Sequence, residues 1–77
     1  MSETEYEYIK ERLPEWAKSV EYFAEAMANN KKYEEYYSGL LAGLTMAAKD
    51  LGVLSNADYF VGAAIKNARE AVENETA

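Results

Sequence analysis

The 77-residue chain contains no cysteine and no histidine, and each absence removes a class of chemistry. Without cysteine there is neither a disulfide nor a thiolate metal site, so a domain this short must be held by packing or by association with another chain. The same absence leaves the redox compartment open, since a cysteine-free chain is stable in reducing or oxidising surroundings. Without histidine and cysteine the common general base and the common strong nucleophile are both missing. Ser19, Ser38 and Ser55 have no visible activating partner, and no Gly-rich phosphate loop or nucleotide fingerprint occurs. A bundle this small also has little room for an enclosed pocket. The chain is therefore expected to be neither an enzyme nor the holder of a cofactor.

Basic residues are also scarce: eight Lys and Arg face fourteen Asp and Glu, a net charge of -6 with a pI near 4.5. Affinity for a polyanion comes largely from Lys and Arg neutralising phosphates, so this balance argues against direct binding of nucleic acid or of an acidic membrane. Long apolar runs are missing too. The longest apolar-rich stretch, Leu40 to Ala48, is less than half of a membrane span. Met1 to Glu5 is acidic where a signal peptide is basic. These features predict a soluble, cytoplasmic protein.

What is present is helical period. From Tyr6, large apolar residues recur at Ile9, Leu13, Trp16, Val20, Phe23 and Met27, alternating three and four apart, while Glu3, Glu5, Glu7, Glu11, Glu15, Glu21 and Glu25 fall off that seam. Ser2 with Glu5 and Thr4 with Glu7 both fit a capping box, and Asn29-Asn30 marks the end. Pro14 is the conflict, because inside a helix it removes an amide donor and its ring clashes with the preceding turn. Either a short helix stops near Arg12 and a second begins with Pro14 in its first turn, or one helix continues with a kink. The unbroken heptad phase and the poor capping quality of Leu13 favour the kinked helix over 3–29.

A second helix is expected over 31–51, with a seam at Tyr33, Tyr37, Leu40, Leu44, Ala47 and Leu51 broadened by Tyr36 and Leu41, and a left-handed C-cap at Gly52 with Val53. Ser55 with Asp58 reads as a capping box and Leu54 with Tyr59 as a staple, starting a third helix over 56–73 whose seam is Val61, Ile65, Ala68 and Val72, supplemented by Phe60 and Ala64. Short connections make these run up, down, up: an all-α, antiparallel three-helix bundle forming one domain over 1–77. The first helix, at ~1.5 Å per residue, then overhangs the other two. Tyr6 and Ile9 either fold back over the bundle or wait for a second chain. Gly39, Gly43 and Ala47, four apart, suggest close packing against Gly62, Ala63, Ala64 and Ala68 or against another chain.

Candidate sites follow from surface composition. Glu3, Glu7, Glu11 and Glu15 form a stripe of like charges, each pair costing a few tenths of a kcal/mol, which a function needing a negative field would explain. They are unconvincing metal ligands, since helical carboxylate sites also use a Glu-x-x-His element and hard-cation loops alternate Asp or Asn ligands. Seven tyrosines are unusual; Tyr8 and Tyr22 share one outward heptad position with Glu15 midway. Tyrosine is enriched at protein interfaces. A helix-turn-helix reading has little support, because the helix that would enter the groove opens Asn56-Ala57-Asp58-Tyr59 with no basic side chain.

The expected function is thus a small acidic protein-protein interaction module, an adaptor or inhibitor of a macromolecular partner with a basic or nucleic-acid-binding surface. Its expected partner-binding residues are Tyr6, Tyr8, Ile9, Tyr22, Glu3, Glu7, Glu11 and Glu15, with no catalytic, cofactor or metal site. Size and acidity suit an accessory protein of a phage or mobile element. The alternative is a structural homo-oligomer, a homodimer or larger, whose seams complete one another's cores.

Overall fold

Asn29 and Asn30 interrupt the first long apolar pattern, and Pro14 divides it. In the computed structural model, which describes the backbone of residues 3–52 and 54–76 and the side chains of 5–52 and 54–75, this yields four α-helices among the described residues. They are α1 (Glu3–Arg12), α2 (Pro14–Asn29), α3 (Glu34–Asp50) and α4 (Ala57–Thr76), with a 3-10 turn, Lys31–Tyr33, before α3. The all-α expectation holds, but the three-helix bundle does not: the expected first helix is two helices. The capping boxes expected at Ser2 and Thr4, the side chain of Glu3 and the contact expected of Val53 lie outside the described residues.

The division at Leu13 has a local cause. The residue before a proline is pushed out of the helical region, and Leu13 sits at φ -127°, ψ 62° with no side-chain cap. Two backbone hydrogen bonds still flank the break. The Leu13 N–H still donates to the Ile9 carbonyl at 2.8 Å, the Leu13 carbonyl accepts from Ala17 N–H at 2.9 Å, and Pro14 occupies the first helical position, where an amide has no partner to lose. The break also removes the expected overhang. α2, α3 and α4 have 16, 17 and 20 residues, roughly 24, 26 and 30 Å at ~1.5 Å per residue. α1 is free to turn back across them.

It does so through Tyr6 and Ile9. Ile9 is only 3% exposed, and the Tyr6 ring stacks on Phe60 of α4 with centroids 4.4 Å apart and planes 13° from parallel. The Tyr6 hydroxyl donates to Glu21 Oε2 of α2 at 2.8 Å, and Lys10 approaches the same oxygen at 3.6 Å. Of the two fates open to the N-terminal apolar residues, the structure takes the intramolecular one. The driving force is the burial of Ile9 and half of Tyr6, which a straight helix would leave in water.

α2 is the central helix and packs against each of the others. Its Ala17, Val20, Ala24 and Met27 meet Leu41 of α3 and Phe60, Val61, Ala64 and Ala68 of α4 in one apolar cluster. Among the described residues no buried side-chain nitrogen or oxygen lacks a partner. Trp16, half-buried, lays its ring 5.4 Å from Phe60 and donates its indole N–H to the Leu44 carbonyl at 3.1 Å, tying α2 to α3. At the other end of α2 the side-chain amides of Asn29 and Asn30 donate to the Glu25 and Ala26 carbonyls, each at 2.8 Å. The Ala26 carbonyl is one of the last four that lack an intrahelical amide donor, so Asn30 caps the helix end as well as interrupting its pattern.

α3 departs most from expectation. Leu41 and Ala48 are buried, whereas Tyr33, Tyr36, Ala47 and Leu51, expected on its apolar face, are exposed. The helix carries two adjacent apolar stripes: Tyr37, Leu41 and Leu44 join the core and Ala48 is buried, whereas Leu40 is partly covered and Ala47 and Leu51 stay exposed. The glycines are corrected too. A Cβ added at Gly39, Gly43 or Gly62 meets nothing within 4 Å among the described residues, so no close helix approach inside the chain offsets the ~0.5–1 kcal/mol each costs. Gly52, by contrast, has the expected left-handed φ of 68°, its N–H donating to the Lys49 carbonyl at 3.0 Å. α4 starts one residue later than predicted: the Asn56 carbonyl accepts from Tyr59 and Phe60, while Asp58 turns to Lys49 at 3.0 Å.

Candidate functional site

The break at Leu13 redistributes the predicted site residues over two helices. Glu7, Tyr8 and Glu11 lie exposed on α1, and Glu15 and Tyr22 lie exposed on α2. The stripe of glutamates and the shared heptad position of Tyr8 and Tyr22 both presuppose one continuous helix. They are therefore not single helical faces. Ile9 is withdrawn into the chain's own packing, and Tyr6 packs against it while staying partly exposed.

Tyr8 and Tyr22 remain 57% and 66% exposed. Arg12, one turn along α1, donates to the Tyr8 hydroxyl at 3.0 Å and so steadies a large aromatic group in water among carboxylates. Tyr22 borders a shallow hollow of about 280 Å³ with Glu15, Lys18, Ser19 and Phe23. The structure thus brings Glu15 and Tyr22 together, as their spacing of seven on one helix requires. The hollow presents a ring, a hydroxyl and charges of both signs.

One arrangement was missed in the sequence. Tyr22 meets Phe23 edge-on at 5.5 Å, Phe23 lies 6.2 Å from Tyr37 across the α2–α3 contact, and Tyr37 meets Tyr36 edge-on at 5.2 Å. The two inner rings are half-buried and the two outer rings are exposed. Consecutive aromatics on a helix point about 100° apart, so the doublets Tyr22-Phe23 and Tyr36-Tyr37 each put one ring inside and one outside. That doublet pattern was the available signal.

A second cleft, about 310 Å³, lies where α1, α2 and α4 meet, with Tyr6, Glu21, Glu25, Asn67 and Glu75 on its walls. Burial, and then the Glu21 carboxylate that accepts its hydrogen bond, push the Tyr6 phenol well above the ordinary tyrosine range. The folded chain therefore holds this proton more tightly than the unfolded one. Its stabilising contribution is complete below about pH 10, the unfolded value, and declines as pH rises toward the folded value. Thermal melts taken across this range are expected to fall less steeply for Tyr6→Phe than for the parent, and parallel curves would contradict the linkage.

Among the described residues no three acidic side chains gather as a cation site, and no helix is long and apolar enough to cross a membrane. Compared with known proteins, the chain matches no family model, no curated protein and no solved structure.

Proposed function

We propose that this chain is a small acidic protein-protein interaction module, acting in the cytoplasm as an adaptor or inhibitor of a partner whose contact surface is basic. The observation that carries the reading is the exposure of Tyr8 and Tyr22 beside Glu7, Glu11 and Glu15. An exposed tyrosine offers a large, rigid apolar area and a hydroxyl at low entropic cost, the composition of interface anchors. The net charge of -6 adds long-range attraction toward a basic surface, including one that otherwise holds nucleic acid. No residue is assigned a catalytic role.

Photo-crosslinking amino acids placed singly at Tyr8 and Tyr22, with a control at Lys66 on α4, test the surface in cells. The expected result is a discrete adduct from positions 8 and 22 that is absent from 66. With the captured partner purified, Tyr8→Ala combined with Tyr22→Ala is expected to weaken binding at least tenfold, about 1.4 kcal/mol, and binding is expected to weaken as salt rises. Adducts equal at all three positions, or an affinity indifferent to salt, reject the reading.

A further inference from the structure

α1 is the helix least engaged with the rest of the chain. Of its described side chains only Ile9 is buried; Tyr6 and Lys10 are partly covered, and Glu5, Glu7, Tyr8, Glu11 and Arg12 are exposed. Its hold on the bundle is concentrated in the burial of Ile9, the stack of Tyr6 on Phe60 at 4.4 Å, and the convergence of Tyr6 and Lys10 on Glu21 Oε2 at 2.8 and 3.6 Å. The cluster that joins α2, α3 and α4 has its own members, among them Val20, Ala24, Leu41, Val61, Ala64 and Ala68, none of them on α1. α1 can therefore leave without taking the core of the other three helices apart.

The joint to α2 is a single residue. Leu13 donates its N–H back to the Ile9 carbonyl of α1 and accepts at its own carbonyl from Ala17 N–H of α2. The nitrogen lies on the α1 side of the φ bond and the carbonyl oxygen on the α2 side of the ψ bond, so turning either dihedral breaks neither hydrogen bond. Pro14, first in α2, has no N–H with which to tie the two helices together. Residues at the ends of elements, placed like this one, are where hinges absorb dihedral change. α1 has ten residues, fewer than the roughly 12–15 that an isolated helix needs to persist in water, so once off Phe60 it loses its internal bonds as well. We infer that α1 is a strap that opens about Leu13 while α2, α3 and α4 stay folded, baring the face of Phe60 that Tyr6 covers. The strap also sets how Glu7, Tyr8 and Glu11 stand to Glu15 and Tyr22; that consequence rests on the partner surface proposed above, whereas the strap itself does not.

Hydrogen exchange of the pure full-length chain, followed amide by amide by NMR, tests the strap with no partner present, so either proposal can fail alone. Amides of residues 7–13 are expected to exchange roughly tenfold or more faster than those of Val20 on α2 and Ala64 on α4. Their rates should depend little on denaturant added below the unfolding midpoint, because a local opening exposes little surface. Two variants separate the openings. Met27, 5% exposed, lies at the far end of α2 from the joint, among Ala28, Lys31, Arg69 and Val72. Met27→Ala weakens the closed and the open state alike, so it is expected to speed exchange at Val20 and Ala64 by roughly tenfold or more and over 7–13 by less than about twofold. Glu21→Ala removes the carboxylate on which Tyr6 and Lys10 converge, from a side chain 33% exposed and outside the apolar cluster. It is expected to speed exchange over 7–13 by roughly fivefold. Rates over 7–13 that match Val20 and Ala64 in size and in denaturant dependence, or that rise with them in Met27→Ala, mean that α1 leaves only when the whole chain unfolds, and overturn the strap. Fast exchange over 7–13 that Glu21→Ala leaves unchanged means fraying in place, and overturns it too. The parent's denaturant dependence decides the matter even if Met27→Ala does not fold.

Discussion

Phe60→Ala is expected to lower the stability of the folded chain by about 3–5 kcal/mol, the largest effect of any single truncation in this core. Phe60 is fully buried and is the ring on which three elements converge. Tyr6 of α1 stacks on it at 4.4 Å and Trp16 of α2 tilts against it at 5.4 Å, while its own backbone starts α4. Removing it deletes the transfer free energy of the ring and leaves a cavity that two other aromatics cannot close without moving. A folded chain of this length has about 4–12 kcal/mol in total, so the variant is at the edge of folding. Chemical denaturation followed by tryptophan fluorescence measures this directly, since Trp16 lies against the lost ring. Phe60→Leu, which keeps apolar volume, is expected to recover more than half of the loss. A loss below 1 kcal/mol for the alanine variant would show that α1 and α4 are held by something other than this ring.

The second large effect is expected at Leu41. α3 is anchored by two buried side chains, Leu41 and Ala48, helped by half-buried Tyr37 and Leu44. Leu41→Ala is expected to cost about 2–5 kcal/mol, and the loss should be local before it is global. Ala48, half-buried Tyr37 and Leu44, the indole bond from Trp16 to the Leu44 carbonyl and the exposed ion pairs Lys49–Asp58 and Arg69–Glu34 then remain to hold the helix. Exposed ion pairs contribute little, roughly 0–1 kcal/mol each. Amide hydrogen exchange is therefore expected to rise across 34–50 far more than across α2 and α4. Uniform loss of protection over all helices would mean that α3 unfolds only with the whole chain.

The helices themselves were largely legible. The alternation of three and four from Tyr6 to Met27 identified residues that are now buried or half-buried, including Ile9, Val20 and Met27. That phase survives the break because Leu13 departs from helical geometry for one residue and the amide bonds on both sides are kept. Gly52 and the asparagine pair were equally readable, since a left-handed cap and side-chain amide caps act within one turn of sequence. The candidate surface was legible in part. Tyr8 and Tyr22 are exposed as expected, but their common face was inferred from a continuity that Pro14 removes.

What the sequence by itself determined is the local chemistry: all-α structure, the stop at Asn29-Asn30 and the cap at Gly52, the lack of cysteine and histidine side chains, and a net charge of -6. Those properties depend on backbone sterics, hydrogen bonds a few residues long and net charge. Tertiary structure alone decided whether Pro14 kinks or divides the helix, because either outcome satisfies local geometry. The choice rests on whether Tyr6 and Ile9 find Phe60 and Glu21, far along the chain. It also decided which of two apolar stripes on α3 enters the core. Both stripes satisfy helical period equally, and only the packing of Leu41 and Ala48 into the bundle turns Gly39, Gly43, Met46 and Leu51 outward.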